Sequence, residues 1–154
     1  MDMSTLAMSI VTATMSVMGL PIHTLETNQE IYCGAQNIYH ESRGEPDLGM
    51  VAVAQVVSNR IKSPKFPNTV CEVVYQDNQF SWVNDGLSNH PLLSNPAERE
   101  SFIKSAWVHI IAFDHPDITN GATHYHRHDV NPWWSYQMTV VAIIGNHIFY
   151  VDRS

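Results

Sequence analysis

The stretch Asn37-Ile38-Tyr39-His40-Glu41-Ser42-Arg43-Gly44-Glu45-Pro46 decides how this chain folds, because one helix must end inside it and another must begin. Upstream, Ile31, Ala35 and Ile38 recur at spacings of four and three, the apolar face of a helix. Asn28 can cap that helix, which then begins near Gln29 with Glu30 in its first turn, where a carboxylate suits the helix dipole. It stops by Gly44, since Pro46 disfavours the α conformation at Glu45. Proline is itself a favoured first residue of a helix, so the next one starts near Pro46. Its main buried face is Val53, Val56, Val57 and Ile61, thickened by Val51 and Ala52.

Further along, Ser63-Pro64 and Phe66-Pro67 break the chain, and Thr69 can cap a short helix through Tyr75. Residues 77–95 read as a long irregular loop with a turn at Asn84-Asp85-Gly86. Structureless loops of that length are uncommon in compact domains unless they carry function. Asn95-Pro96 opens a helix to about Phe113, with Ala97, Phe102, Ala106, Ile110 and Phe113 as candidate buried residues. Residues 139–144 and 147–151 are apolar runs around Gly145-Asn146, a hairpin signal. The expected fold class is α+β, helices first with a small antiparallel hairpin at the C-terminus.

The chain has 154 residues, which suits one domain with its own core. Formal net charge is −7, and the eight Lys and Arg residues form no run. A nucleic-acid binder needs a basic stripe, so that class is excluded. An acidic protein also gains no long-range attraction to an anionic cell wall, so affinity for glycan must come from contacts in a groove. Two cysteines, Cys33 and Cys71, are too few for a disulfide scaffold and match no zinc spacing. They read first as buried thiols, with a single disulfide open to a protein working outside the cytoplasm.

Met3 to Leu20 carries no charge, and the first Lys or Arg is Arg43, so the basic start of a secretory signal is missing. Ser4, Thr5, Ser9, Thr12, Thr14 and Ser16 dilute the apolar character that a membrane span needs. Residues 1–28 therefore form a segment of unassigned role, open between a packed extension, a weak membrane contact through residues 3–20 and an atypical export signal. Residues 29–154 are expected to form a single domain, by default a monomer.

Glu41 is the first candidate for chemistry. It falls in the last turn of its helix, where the carbonyl ends disfavour a carboxylate, and burial beside Ile38 and Tyr39 pushes the same way. Both raise its pKa, as a general acid near neutrality requires. Read by position alone, an ordinary surface Glu is the competing account. Glu45 is the backup acid, although it equally fits a carboxylate capping the second helix or holding Arg43. In Gly121-Ala122-Thr123-His124-Tyr125-His126-Arg127-His128-Asp129, an extended chain places His124, His126 and His128 on one side. They could bind zinc or line a sugar groove. Phe80, Trp82, Trp133, Trp134 and Tyr136 could floor such a groove or serve as core. No serine nucleophile elbow or phosphate-binding glycine loop is present, and nothing local supports a Cys–His pair.

Together these residues resemble the signature of the SleB-type cell-wall hydrolases, a family that includes spore-cortex-lytic enzymes and relatives in Gram-negative bacteria and phages. The resemblance runs from the quoted stretch through Gly49, Val51-Ala52-Val53-Ala54-Gln55-Val56-Val57 and Asn59-Arg60. It continues through Phe66-Pro67-Asn68-Thr69-Val70, Val73-Val74-Tyr75-Gln76, Gln79-Phe80-Ser81-Trp82 and Asp85-Gly86. It ends with Gly121 to Tyr125 and Ile144 to Tyr150, covering about residues 29 to 151. Ser42 stands where the family commonly has Ala, and Glu followed by Ser also resembles the catalytic pair of soluble lytic transglycosylases. Many Gram-negative relatives carry extra cysteines around the Gln-Phe-Ser motif; Asn78 and Asn84 sit there instead, so Cys71 has no disulfide partner in that loop.

The resemblance implies a mostly helical, reduced lysozyme-like (lytic transglycosylase-like) domain acting on the cell wall without a cofactor. Its partners would be the glycan strands of peptidoglycan. It implies Glu41 as the catalytic residue, with Gln79, Phe80 and Ser81 bordering the cleft; Ser42, His124, His126 and Trp134 join Tyr125 as further substrate-binding candidates. Tyr125 would contact the sugar near the bond being cut. A transglycosylase needs one carboxylate; a hydrolase using water would recruit a second, for which Asp77, Asp85 and Asp129 are the candidates. A non-catalytic glycan-binding or virion module is the reading from another class. Release by a phage holin is one route to the wall.

Overall fold

A computed structural model describes residues 25–76 and 79–154. The expectations for residues 3–20 and for Asp77 lie outside the described residues. Helix α1 spans Leu25–Ser42, α2 Asp47–Lys62, α3 Val70–Val74 and α4 Pro96–Asp114. Strands β1 His124–Arg127, β2 Thr139–Ile144 and β3 His147–Val151 follow, with single 3-10 turns at Ser81–Asn84 and Trp133–Gln137. No described helix is long and apolar enough to cross a membrane.

The corner between α1 and α2 forms where the sequence predicts it. The Glu45 amide closes a turn on the Ser42 carbonyl at 2.9 Å, and Pro46 sits extended at the N-cap of α2, with ψ at 156°. The start of α1 differs from expectation: the chain is already helical at Leu25, so Asn28 is buried inside the helix rather than capping it. Glu30 is therefore not in a first turn. Its carboxylate instead reaches α3, accepting from the amides of Val70 at 2.5 Å and Cys71 at 3.4 Å. That places a negative charge on another helix's N-terminus, where orphan amides need acceptors. Thr69 caps the same end, accepting from the Glu72 amide at 3.2 Å.

Helix α2 is the central rod. Its buried residues run from Gly49 to Ser58 without a break, followed by Arg60, because α1, α4 and the sheet cover different sides of it. Helix α4 packs Phe102 and Ala106 against Ile31, Tyr32, Ala35 and Tyr39 of α1. Asn95 caps α4 through its side-chain oxygen Oδ1, accepting from the Ala97 and Glu98 amides at 3.0 and 3.3 Å. Ala97 is exposed, since it sits in that first turn before the helix reaches its neighbours.

The predicted hairpin is present, turning at Gly145 with φ of +57°. It belongs to a larger sheet: β1 pairs antiparallel with β3, giving the order β1-β3-β2. Phe149 is buried with Ala52, Val56 and Ala122, so the sheet packs on α2. The loop leading into β1 is tied to α2 by polar side chains. Gln55 Nε2 donates to the Pro116 carbonyl at 3.0 Å while its Oε1 accepts from the Ile118 amide at 2.9 Å. Asn59 Nδ2 donates to the Ala122 carbonyl at 2.9 Å.

Cys33 and Cys71 form a disulfide between α1 and α3, with Cα atoms 5.2 Å apart. This corrects the reading of two buried thiols. Thirty-eight residues separate the pair, a distance at which no sequence pattern reveals proximity.

Candidate active site

Glu41 ends α1 facing a cleft. One half of the cleft, of about 350 Å³, is lined by Glu41, Arg60, Gln79, Phe80, Ser81 and His124, with Tyr125, Trp134 and Met138. The other half, of about 390 Å³, shares Glu41, Ser81 and Tyr125 and adds His40, Trp82, His126, Arg127, Val130 and His147. Glu41 and Tyr125 thus lie where the two halves meet. Such a passage suits an extended polymer that runs through rather than a small molecule that is enclosed.

Each wall is held by packing. Trp82 Nε1 donates to Asn37 Oδ1 at 3.2 Å, and His40 stacks on the Trp82 ring with centroids 4.5 Å apart. This fixes the 3-10 turn after Phe80 against α1, and the buried Phe80 and Trp82 join Val57, Val70, Val73 and Val74. On the opposite wall the Tyr125 ring meets His147 edge-on at 5.2 Å and Phe149 at 5.6 Å. Trp134 packs against His124 at 5.5 Å and His126 at 5.7 Å.

Burial raises the pKa of Glu41, and the Tyr125 hydroxyl and the Arg60 charge pull it partly back. Sequence reasoning expected the helix end and burial to act together; burial is the largest cause. Burial, then the charge of Glu41, raises the Tyr125 hydroxyl well above its ordinary value, so it stays protonated. His124 is pushed down to about 4 by burial and by Arg60, so it is neutral near pH 7.

Of the residues singled out in the sequence, Glu41, Gln79, Phe80, Ser81, His124, Tyr125, His126 and Trp134 all line the cleft. Ser42 does not. It is buried, and its hydroxyl donates to the Ile38 carbonyl at 3.0 Å within α1. Glu45 is also elsewhere: its Oε2 accepts from the Asn146 amide at 3.3 Å and side chain at 3.2 Å, tying the hairpin turn to the helix corner. It neither caps α2 nor holds Arg43, which donates to the Tyr39 hydroxyl at 2.5 Å. Asp85 accepts from the Leu87 amide and Asp129 pairs with Arg127 at 3.0 Å, and neither lines the cleft.

The histidine row does not build a metal site. His126 is engaged at both ring nitrogens, with the Arg127 carbonyl at 2.6 Å and the Tyr150 hydroxyl at 2.7 Å, and His128 lies beyond the end of β1. No group of three or more His, Cys, Asp or Glu among the described residues is placed to hold a metal ion. Arg60, Met138, His40 and His147 reach the cleft without having been singled out. None of them left a local signal: Arg60 shares its half of α2 with Gln55, Ser58, Asn59 and Lys62, and facing the cleft depends on tertiary packing.

The Cell Wall Hydrolase family model matches residues 44–150. This chain belongs to the cell wall hydrolase family. Its family relatives include the spore cortex-lytic enzyme of Bacillus subtilis (strain 168), 35% identical over 126 residues, which are 80% of this chain and 38% of that protein. The spore cortex-lytic enzyme of Halalkalibacterium halodurans is 34% identical over 124 residues, 80% of this chain and 35% of that protein. The chain thus spans well under half the length of these curated relatives. Among solved structures, the catalytic domain of the germination-specific lytic transglycosylase SleB from Bacillus anthracis superposes with a TM-score of 0.66 at 35% identity. The alignment covers 84% of this chain and 97% of that domain. The Bacillus cereus SleB catalytic domain gives 0.63 at 33% identity, covering 85% and 94%. The reduced lysozyme-like α+β fold is that of the cell wall hydrolase family.

Proposed function

We propose that this chain cuts the glycan strands of peptidoglycan as a lytic transglycosylase, with Glu41 as its single acid and base. The observation that carries the reading is that Glu41 is the one carboxylate among the described residues lining either half of the cleft. A hydrolase that activates water draws on a second carboxylate roughly 5–9.5 Å away. Neither Asp85 nor Asp129 is in place for that role. The family's SleB domains, one of them described as a lytic transglycosylase, support the same choice.

In this mechanism protonated Glu41 gives its proton to the glycosidic oxygen between N-acetylmuramic acid and N-acetylglucosamine, and the C1–O bond breaks. The resulting carboxylate takes the proton of the muramic acid 6-hydroxyl. That oxygen then bonds to C1, leaving a 1,6-anhydro end and restoring Glu41. A raised pKa serves the first half and an unprotonated carboxylate the second. Phe80, Trp134 and the neutral His124 offer faces and edges to the sugars on one side, and His126 borders the other. The catalytic unit runs from α1 to β3, and it acts on the wall outside the cytoplasm, where the Cys33–Cys71 bond persists.

The test is clearing of purified peptidoglycan by the wild type and by Glu41→Gln, with product masses. Wild-type clearing, loss in the mutant and ends one water lighter than reducing muramic acid are expected. Reducing ends would replace this mechanism with hydrolysis, and a mutant that clears at the wild-type rate would remove Glu41 from the chemistry.

A further inference from the structure

Three buried polar atoms on residues lining the cleft have no hydrogen bond of ordinary geometry among the described residues: Nδ1 of His147 in one half, and Nη1 of Arg60 and the hydroxyl of Tyr125 together in the other. Buried donors are nearly always paired, because an unmade bond costs the full desolvation of the group. Two on residues lining one half of a cleft call for a common reason. Arg60 comes from α2 and is only 3% exposed. Its guanidinium is held between rings, 4.9 Å from the Phe66 centroid and 5.1 Å from that of Phe80. Nε donates to the Thr123 carbonyl at 2.7 Å, which fixes the plane and leaves Nη1 free to act. Tyr125 arrives from β1, next but one to Thr123, so one bond sets the spacing of both donors. The acid that shares this half of the cleft with them is Glu41.

We propose that Arg60 is a positioning residue which, with Tyr125, forms a preorganised donor pair for the Glu41 carboxylate. The inference rests on the one-carboxylate reading above. There the same group must be an acid and then a base, so its charged form exists only within the catalytic cycle. Donors held beside Glu41 and committed to no other acceptor bond it more strongly when its proton leaves. This is stabilisation aimed at charge that develops during reaction. The direction in which Arg60 and Tyr125 pull the acidity of Glu41 agrees with that arrangement. The other titratable or charged groups lining the cleft are His124 of β1, His40 on Glu41's own helix, and His126, Arg127 and His147 beyond Tyr125. His40, His124 and His147 are all held below their ordinary pKa by burial, so they supply little positive charge near pH 7.

The experiment titrates Glu41 directly, by carboxyl carbon NMR of glutamate-labelled protein, in wild type, Arg60→Met, Arg60→Lys and Tyr125→Phe. In parallel, kcat and KM on purified glycan strands are followed against pH. Arg60→Met is expected to move the Glu41 midpoint up by about one pH unit or more. It should lower kcat about 100-fold with KM little changed. Arg60→Lys keeps the charge and should recover most of the midpoint. If Arg60→Met fails to fold, Tyr125→Phe, which removes one oxygen, must still raise the midpoint. A Glu41 midpoint unchanged in the folded variants overturns the proposal. Absence of any cleavage by wild type would instead overturn the transglycosylase reading, while the titration still decides whether Arg60 and Tyr125 act on Glu41.

Discussion

Glu45 and Asn146, 101 residues apart in sequence, are joined by hydrogen bonds from the Asn146 backbone and side chain to one carboxylate oxygen. The other oxygen lies 3.5 Å from Nδ1 of His147, and both of those side chains are almost fully buried, at 2% and 6% exposure. A Cβ added at Gly145 would come within 2.9 Å of the same carboxylate, so the turn needs glycine for space as well as for its positive φ. The corner that ends α1 behind Glu41 is thereby locked to the hairpin that backs Tyr125.

Removing that lock should cost stability rather than chemistry. Glu45→Ala leaves the Asn146 backbone and side-chain amides without their acceptor and removes the carboxylate beside His147, a loss of about 2 kcal/mol in urea unfolding. Glu45→Gln keeps an acceptor for Asn146 and should lose less. The folded fraction of Glu45→Ala should still cut glycan strands, in contrast to Glu41→Gln. Complete loss of cleavage in well-folded Glu45→Ala would bring Glu45 back as an acid.

Glu41 should weaken the fold near neutrality. Its pKa is raised on folding, so the folded state holds the proton more tightly than the unfolded chain. That contribution is fully present below the ordinary glutamate pKa and is lost as pH rises through the raised value. Glu41→Gln should therefore be more stable than wild type at pH 7–8, with the difference shrinking toward pH 4. Thermal melts across that range check it; a mutant less stable at pH 8 than wild type contradicts the assignment.

His109 gives the opposite slope. Burial pushes it down to about 4, so the fold holds it neutral. The stability this contributes is present above the unfolded value near 6.5 and is lost as pH falls toward 4. Its ring fills the space beside Gly34, where an added Cβ would sit 2.1 Å from Nδ1. Gly34→Ala should cost about 3 kcal/mol by overpacking. Melts of Gly34→Ala and of wild type from pH 7 to 4 test both statements.

The Cys33–Cys71 bond closes a loop over 38 residues and holds α3 against α1. Cys71→Ser should lower stability by about 3–4 kcal/mol. Because α3 packs with Phe80 and Trp82, cleavage should fall before global unfolding. A melting temperature indifferent to dithiothreitol would show that the bond is not formed in solution.

Much of this layout was legible in the chain because local rules dictate it. Asn95-Pro96 and Thr69 cap helices through side chains only a few residues from the amides they accept from. Gly145-Asn146 turns the hairpin because two apolar runs flank a residue that tolerates positive φ. Glu41 stood out through the quoted family motif, because its place in the last turn of its helix fits an ordinary surface glutamate as well. That α1 runs through Asn28 was not legible, since Asn28 carries a cap residue's chemistry yet is buried within the helix.

What the sequence determined by itself, then, is the main helices, the C-terminal hairpin and their order, since each follows from neighbours within a few positions, while Glu41 as the proposed acid rests on the family motif. The tertiary structure alone decided which side chains face that acid. It turned Ser42 inward to its own helix, engaged Glu45 with the hairpin, and paired Cys33 with Cys71. It also set Arg60 between two aromatic rings in the same half of the cleft as Glu41. These are contacts between residues tens of positions apart, and they exist only once burial has brought α1, α2 and the sheet together around one core.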